Sequence, residues 1–428
     1  MQGLFNVRER GATGQGVALE TPAIQAAADA CAQAGGGTVY FPPGRYLTGT
    51  IELRSNVTLH LEAGAVLLGS RDLKDYPVRR AAFRSYTDNY TDKSLLYAFE
   101  AENVGLAGPG EINGQGSAFS EGAPYMERPY LVRFVQCRNV RLSDVTLRNS
   151  AMWVCHFLAC EDVAARGVRI RSRVNQNNDG FDIDCSERVR ISDCDIWSGD
   201  DAIVLKSTAN RQTKDVVVSN CVLSSLCNAL KMGTETNGGF DNVAISNCTI
   251  YDTELAGVAL EIVDGGALDR VTVSNIVMRS VNTPLFLRLG NRARPYEKDG
   301  RRPGVGKFHN VLLSNIDATA SDRTGCAISG IPGHFIENVT FDNVRLRFPG
   351  GGTAADAARL PPELEDAYPE HNMFGVLPAY GFYCRHARNL RFRNVEVPAL
   401  GREERPAMIC EDVEGLQIEG SDLKPVRR

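Results

Sequence analysis

The sequence predicts an all-β chain: a right-handed parallel β-helix with a short N-terminal helical cap. Three observations carry this. First, a theme of the form Asn-Val-x-apolar-x-Asn/Asp-apolar-x-apolar recurs from Asn139 onward, at a spacing of roughly 23–28 residues, the range of solenoids and arrays. Second, Asn or Asp falls at one phase of that repeat, at Asp144, Asp193, Asn220, Asn247, Asn275, Asn315, Asn343 and Asn394. Third, a single helix-forming segment precedes a long series of β-type runs. That is the place of a cap covering the apolar end of a first coil.

In chain order, Phe5 to Ala12 reads as a short strand and turn. Thr21 is an N-cap candidate, with Pro22 at the first helical position. The run Ala23 to Ala34 is helix-rich, and Gly35-Gly36-Gly37 ends it. Four β-type runs follow, at Thr38-Phe41, Tyr46-Thr48, Val57-Leu61 and Ala65-Leu68. The repeat opens at Asn139, Asp162, Arg188, Asp215, Asn242, Arg270, Asn310, Asn338, Asn389 and, weakly, Gly415. Leucine does not dominate it and no helix fits inside it, which argues against leucine-rich repeats; propeller blades need a longer period. Three short strands per coil fit. The in-phase Asn and Asp side chains form a ladder at one turn, because short amides tolerate αL backbone and hydrogen-bond along a stack.

Two repeats are stretched, by insertions at 292–307 and 349–374. Such loops project from one face of a solenoid and shape a cleft. The expected organisation is one β-helix domain over residues 1–428, with the strand and capping helix in residues 1–37.

Composition excludes some partners. The net charge is −5. Lys and Arg are spread along the chain rather than blocked, which argues against nucleic acid. No apolar run approaches the ~20 residues of a membrane span. There are 12 cysteines. Cys194, Cys221 and Cys248 hold the position that Ile276, Ile316 and Val344 take in later repeats. Cysteine there acts as a small core residue, and stacked free thiols are expected rather than disulfides. Free thiols suit a reducing compartment, and the N-terminus lacks a basic flank and an apolar h-region. The expectation is a cytoplasmic protein, or a secreted or periplasmic one if a leader has been trimmed.

The chemistry concentrates in Asn177-Asn178-Asp179-Gly180 and Gly199-Asp200-Asp201. The two clusters sit about one repeat apart, each followed by an alternating apolar run. Asp179 and Asp201 are expected on neighbouring rungs, with Asp200 beside them. Three carboxylates so close cannot all ionise easily. One held protonated as a donor and another ionised to activate water is what cleavage of a glycosidic bond requires.

With the repeat, these motifs resemble glycoside hydrolase family 28, the polygalacturonase and rhamnogalacturonan hydrolase family. The resemblance covers nearly the whole chain. It takes in Gly11-Ala12-Thr13-Gly14-Gln15-Gly16, the segment Gly35 to Gly44, and Leu67-Leu68-Gly69-Ser70. It implies the pectin-lyase-like form of the β-helix and an inverting O-glycosyl hydrolase of pectin-derived carbohydrate in the plant cell wall. It implies Asp200 as general acid, with Asp179 and Asp201 positioning and deprotonating water. No metal, cofactor or covalent intermediate is implied.

The family pattern breaks in two places. Asn228 stands where its Gly-His-Gly motif has the histidine. Ala259 and Glu261 stand where its Arg-Ile-Lys motif grips the galacturonate carboxylate. Two positive charges are lost and one negative gained, so a carboxylate in that subsite is repelled. The expected substrate is therefore not ordinary polygalacturonate. By alternation, Asp182, Asp184, Lys206, Lys231, Glu261 and Arg288 project outward while Phe181, Ile183, Leu205 and Leu260 point inward. With Asn177, Asn228 and Glu235, the residues Lys206, Lys231, Glu261 and Arg288 are candidate substrate ligands. Trp153, Trp197, Tyr251, Phe286, Tyr296 and Tyr380 are candidate sugar-stacking aromatics. The six histidines show no metal-ligand spacing. Two rivals remain at this point: a pectate-lyase-like enzyme working by β-elimination with calcium, and a non-catalytic glycan-binding β-helix.

Overall fold

The computed structural model describes residues 3–119 and 124–428. The chain divides into two compact units, Met1–Ile203 and Val204–Arg428. The expected extent of 1–428 includes residues 1–2 and 120–123, which lie outside the described residues.

The first unit opens with a short strand, Leu4–Asn6, a 3-10 turn, Val7–Arg10, and the helix α1, Thr21–Gln33. The N-cap is Glu20, one residue before the expected Thr21, and it makes no side-chain cap bond. The Thr21 hydroxyl is engaged elsewhere: it accepts from the Gly49 N–H at 2.7 Å, tying the helix start to a strand end. Ile24, Ala27, Ala28 and Cys31 form the buried face of α1. Gly36 follows the helix at φ 118°, where a Cβ would lie 2.6 Å from the Asn56 carbonyl oxygen. Both facts require glycine.

Coils of three parallel strands follow. Val132 pairs with Cys155 and Cys155 with Phe181 on one sheet. Val140, Val163 and Val189 are in register on the second, and Leu147, Ile170 and Ile196 on the third. Apolar side chains at these positions stack inward and form the core. The second unit repeats the scheme: Val216, Val243, Val271, Val311, Val339 and Leu390 form one register column. Cys248, Ile276, Ile316 and Val344 form another. All 12 cysteines are free thiols, and Cys194, Cys221 and Cys248 are buried in the core.

The turn ladder is present. All eight expected Asn and Asp positions adopt positive φ, between 51° and 62°. In the second unit Asn247 donates to Asn220 at 3.4 Å, Asn275 to Asn247 at 3.0 Å, Asn315 to Asn275 at 3.1 Å and Asn343 to Asn315 at 2.7 Å. A second ladder runs along the repeat openings, where Asn338 donates to Asn310 and Asn389 to Asn338, both at 3.0 Å.

The two insertions are irregular segments of the second unit, after the strands Ala267–Leu289 and Ile336–Arg347. One short helix, Ala354–Ala357, lies in the second of them.

Candidate active site

Each acidic motif occupies the turn between a third-sheet strand and the next first-sheet strand. Asn175 to Gly180 joins Arg169–Ser172 to Phe181–Asp184, and Gly199 to Ala202 follows Asp195–Ser198. Asn178 is fully buried and holds the first turn. Its Oδ1 accepts from the Ser172 hydroxyl and from the N–H groups of Val174 and Asn175, each at 3.1 Å. Its Nδ2 donates to the carbonyls of Ser150 at 3.0 Å and Met152 at 3.2 Å. Gly180 lets the two turns close: its N–H donates to the Asp201 carbonyl at 2.9 Å. A Cβ there would lie 2.3 Å from the Ala202 oxygen.

The result is a cluster of Asp179, Asp200 and Asp201, with one carboxylate oxygen from each within 4.8 Å of the others. Asp179 is 2% exposed and Asp201 3%, whereas Asp200 is half-buried. Asp200 is oriented from two sides: its Oδ1 accepts the Asp201 N–H at 2.9 Å, and the Asn177 amide donates to its Oδ2 at 3.4 Å. Asn177 is in turn fixed by Arg128, whose Nη2 donates to its Oδ1 at 2.8 Å. The same guanidinium donates to the Gln176 carbonyl at 2.5 Å. Arg128 is buried; burial depresses its pKa, opposed by the charges of Tyr125 and Asp179. Nothing in the sequence singled out Arg128, because its partners lie 48 and 49 residues away. Two buried acids and one accessible acid, set around a shared space, suit proton donation to a bond from one side and proton removal from water on the other.

A sequence model of glycosyl hydrolases family 28 matches residues 39–361. The chain belongs to that family. This family 28 protein is accordingly an O-glycosyl hydrolase, with the acidic cluster inside the matched region. It is 27% identical over 384 residues to a probable polygalacturonase of Vitis vinifera, covering 82% of this chain and 74% of the other. Among solved structures, it is similar to a family 28 exopolygalacturonase of Yersinia enterocolitica. The TM-score is 0.77 at 21% identity, over 100% of this chain and 80% of that one. An exopolygalacturonase of Thermotoga maritima gives 0.74 at 21% identity, covering 93% and 92%. Both share the β-helix fold.

The second unit holds the residues in which this family 28 chain departs from the pattern. The expected outward row of charges is present but not solvated. Glu235 lies between Lys206, at 3.6 Å, and Arg294. Arg292 and Arg294 both engage buried Asp264. Burial pushes the Glu235 carboxyl up, but Lys206, Arg294 and Arg292 outweigh it and hold it well below the usual range. Lys231 sits 3.9 Å from Glu261 and 3.5 Å from Glu370. The Tyr368 ring lies 5.7 Å from its Nζ. The insertions thus supply Arg292, Arg294, Tyr368 and Glu370, none of which sequence spacing selected.

Three of the expected substrate ligands lie buried in contacts with protein groups. Arg288 is 1% exposed and engaged by protein: it donates to Ser329 Oγ at 2.9 Å and to the carbonyls of Gly330, Glu363 and Leu364 at 2.8–3.0 Å. It fastens the second insertion. Asn228 is fully buried and accepts the Ala256 N–H at 3.0 Å, so it braces a turn. Glu261 is closed to solvent, with Lys231 3.9 Å away. In the first unit Asp182 and Asp184 are also buried, and Asp184 bonds His156 at 3.1 Å. Of the aromatics, Trp153 packs on Tyr130 and Tyr90, and Phe286 lies in a core cluster. Trp197 stays 38% exposed.

Proposed function

We propose that the protein hydrolyses, with inversion, a glycosidic bond of a pectin-derived oligo- or polysaccharide other than ordinary polygalacturonate. The observation that carries this is the three-carboxylate cluster. Asp200, the accessible member, gives its proton to the glycosidic oxygen as the bond to the anomeric carbon breaks. Water held by Asp179 and Asp201 attacks that carbon from the opposite face and leaves its proton on one of them. Atoms balance as one water consumed per bond; Asp200 regains a proton from solvent and Asp179 or Asp201 releases the one it took, which resets the site. Arg128 and Asn177 are positioning residues that keep Asp200 aimed.

The oxygens lie closer than the ~6.5–9.5 Å usual for an inverting pair. With three carboxylates, two can share the water while the third faces the leaving group.

The substrate reading draws on charge. Ala259 and Glu261 replace the family's cationic pair, and Lys206, Lys231, Arg292 and Arg294 are each matched by Glu235, Asp264, Glu261 or Glu370. The relatives' names, polygalacturonase and exopolygalacturonase, support a pectic polymer as the general class.

The test is product analysis by mass spectrometry and time-resolved NMR on polygalacturonate, rhamnogalacturonan and neutral pectic side-chain fragments. The expected product is a saturated sugar of inverted anomeric configuration, from something other than polygalacturonate. A retained anomer would make one of these aspartates a nucleophile. An unsaturated product absorbing in the ultraviolet would replace hydrolysis by elimination.

A further inference from the structure

Outside the acidic cluster, the third sheet of the first unit presents an ordered basic face. Register places Arg148, Arg171 and Trp197 in one column on successive coils, and Thr146, Arg169 and Asp195 in the next. The intervening Leu147, Ile170 and Ile196 point into the core, so both columns face out. The face is a groove of about 500 Å³, lined also by Arg173 and Val174. Four arginines line it with one carboxylate, Asp195, and a second, Glu111, lies one coil earlier on the same sheet, on a chain whose net charge is −5. Arg171 is held by Asp195 and Arg148 reaches Glu111 at 3.3 Å. Arg169 is exposed and makes no ion pair among the described residues. The Arg173 guanidinium stacks 4.1 Å from the centre of the Trp197 ring.

We propose that this groove is a second, non-catalytic binding surface for an acidic oligosaccharide, a run of uronate residues. Parallel rungs repeat every ~4.8 Å, so the columns present a donor or an aromatic at regular steps. Successive carboxylates of an extended oligouronate lie one sugar ring apart, a length such a ladder can follow. Guanidinium forks match carboxylates in pairs of hydrogen bonds. The exposed indole offers an apolar surface to a pyranose ring. Arg173 also donates to the Ser198 carbonyl at 2.9 Å, two residues before Asp200. A chain lying in the groove therefore runs to the edge of the acidic cluster without occupying it. Arg169 is thus the cation of this face that no carboxylate among the described residues engages: acidic backbone is held here, and the bond to be cut is read at the acidic cluster.

The experiment is calorimetric titration of the Asp200→Asn protein with an oligogalacturonate, a neutral oligosaccharide of equal length and inorganic polyphosphate. Binding is read without turnover, so its failure is separate from a failure of the catalytic reading. Arg169→Glu is compared with Arg10→Glu, an equal charge change on the exposed 3-10 turn of the same unit. Expected is oligogalacturonate binding that weakens roughly tenfold in Arg169→Glu, weakens in Trp197→Ala, and is unchanged in Arg10→Glu, with the neutral sugar bound much more weakly. Equal losses in both charge reversals, or polyphosphate binding as tight as oligogalacturonate, would reduce the face to general electrostatics and overturn the proposal. No response to Arg169→Glu, with unfolding midpoints showing an intact fold, would overturn it as well.

Discussion

Single side chains in the acidic turns carry separable duties. Asp200→Asn keeps the shape and the acceptor of the Asp201 N–H but has no proton to give. Its kcat should fall by about 10²–10⁴-fold, the usual worth of a positioned acid, with the unfolding midpoint unchanged. Retention of full activity would move the acid role to another residue. Asn178 makes the opposite case. It is closed to solvent, and five hydrogen bonds meet on its buried amide. Asn178→Ala leaves several of those groups without partners inside the protein, at about 1–3 kcal/mol for each group left wholly unsatisfied. Stability and activity should fall together, and denaturant titration beside kinetics checks this. An unchanged unfolding midpoint with lost activity would show a direct part in the reaction. The Asn-Asp-Gly sequence was legible as a site because its acidic residues recur one coil apart. The bracing by Asn178 was not, since it joins its own turn to residues 150–152 of the coil before, 26 and 28 residues away.

At the scale of elements, the ladder turns and the strands were readable because each is a local requirement repeated at a fixed period. Alternation failed differently. It placed Lys206, Lys231, Glu261 and Arg288 on the outward side of their strands, but these side chains are almost closed to solvent. The cover comes from the insertions, whose path no period encodes: Glu370 meets Lys231 across 139 residues, and Glu363 and Leu364 meet Arg288 across 75 and 76. Arg288 is therefore the fastener of the second insertion. It is joined by Arg385, which donates to Pro361 and Pro362 at 2.8 and 2.9 Å, with the Phe374 ring 5.3 Å from both guanidiniums. Arg288→Ala should release residues 360–374, so limited proteolysis there should accelerate while the strands stay protected. Arg288→Lys should not restore protection, because one ammonium cannot reach carbonyls on both sides. A proteolysis pattern identical to the parent would show that the other contacts of the insertion suffice.

For the molecule as a whole, buried titratable groups make stability depend on pH in a stated direction. His371 lies in the second insertion, 4% exposed, and its Nδ1 has no hydrogen-bond partner among the described residues. Burial depresses its pKa to about 4, with Asp322 opposing. The unfolded chain, with a histidine near 6.5, thus binds a proton that the folded chain refuses between those values. Where the unfolded state binds more protons, stability falls as pH falls. The neutral imidazole is accommodated in full above about pH 6.5, and the loss develops from there down to about pH 4. The drop amounts to roughly 3 kcal/mol over the window at 1.36 kcal/mol for each pKa unit. Glu235 adds its loss lower down. Its folded pKa lies below the usual value of 4.5, so its stabilisation is present above that value and disappears as pH falls further. The two groups therefore separate along the acid limb. His371→Gln should flatten the fall of the thermal midpoint between pH 6.5 and 4 and leave the steeper loss below it. Glu235→Gln should lower the midpoint at neutral pH, because Lys206 and Arg294 lose their shared carboxylate, and flatten only the limb below about pH 4.5. Parallel curves for the parent and His371→Gln across the upper window would mean that the imidazole is protonated in the folded protein and paired with an acid.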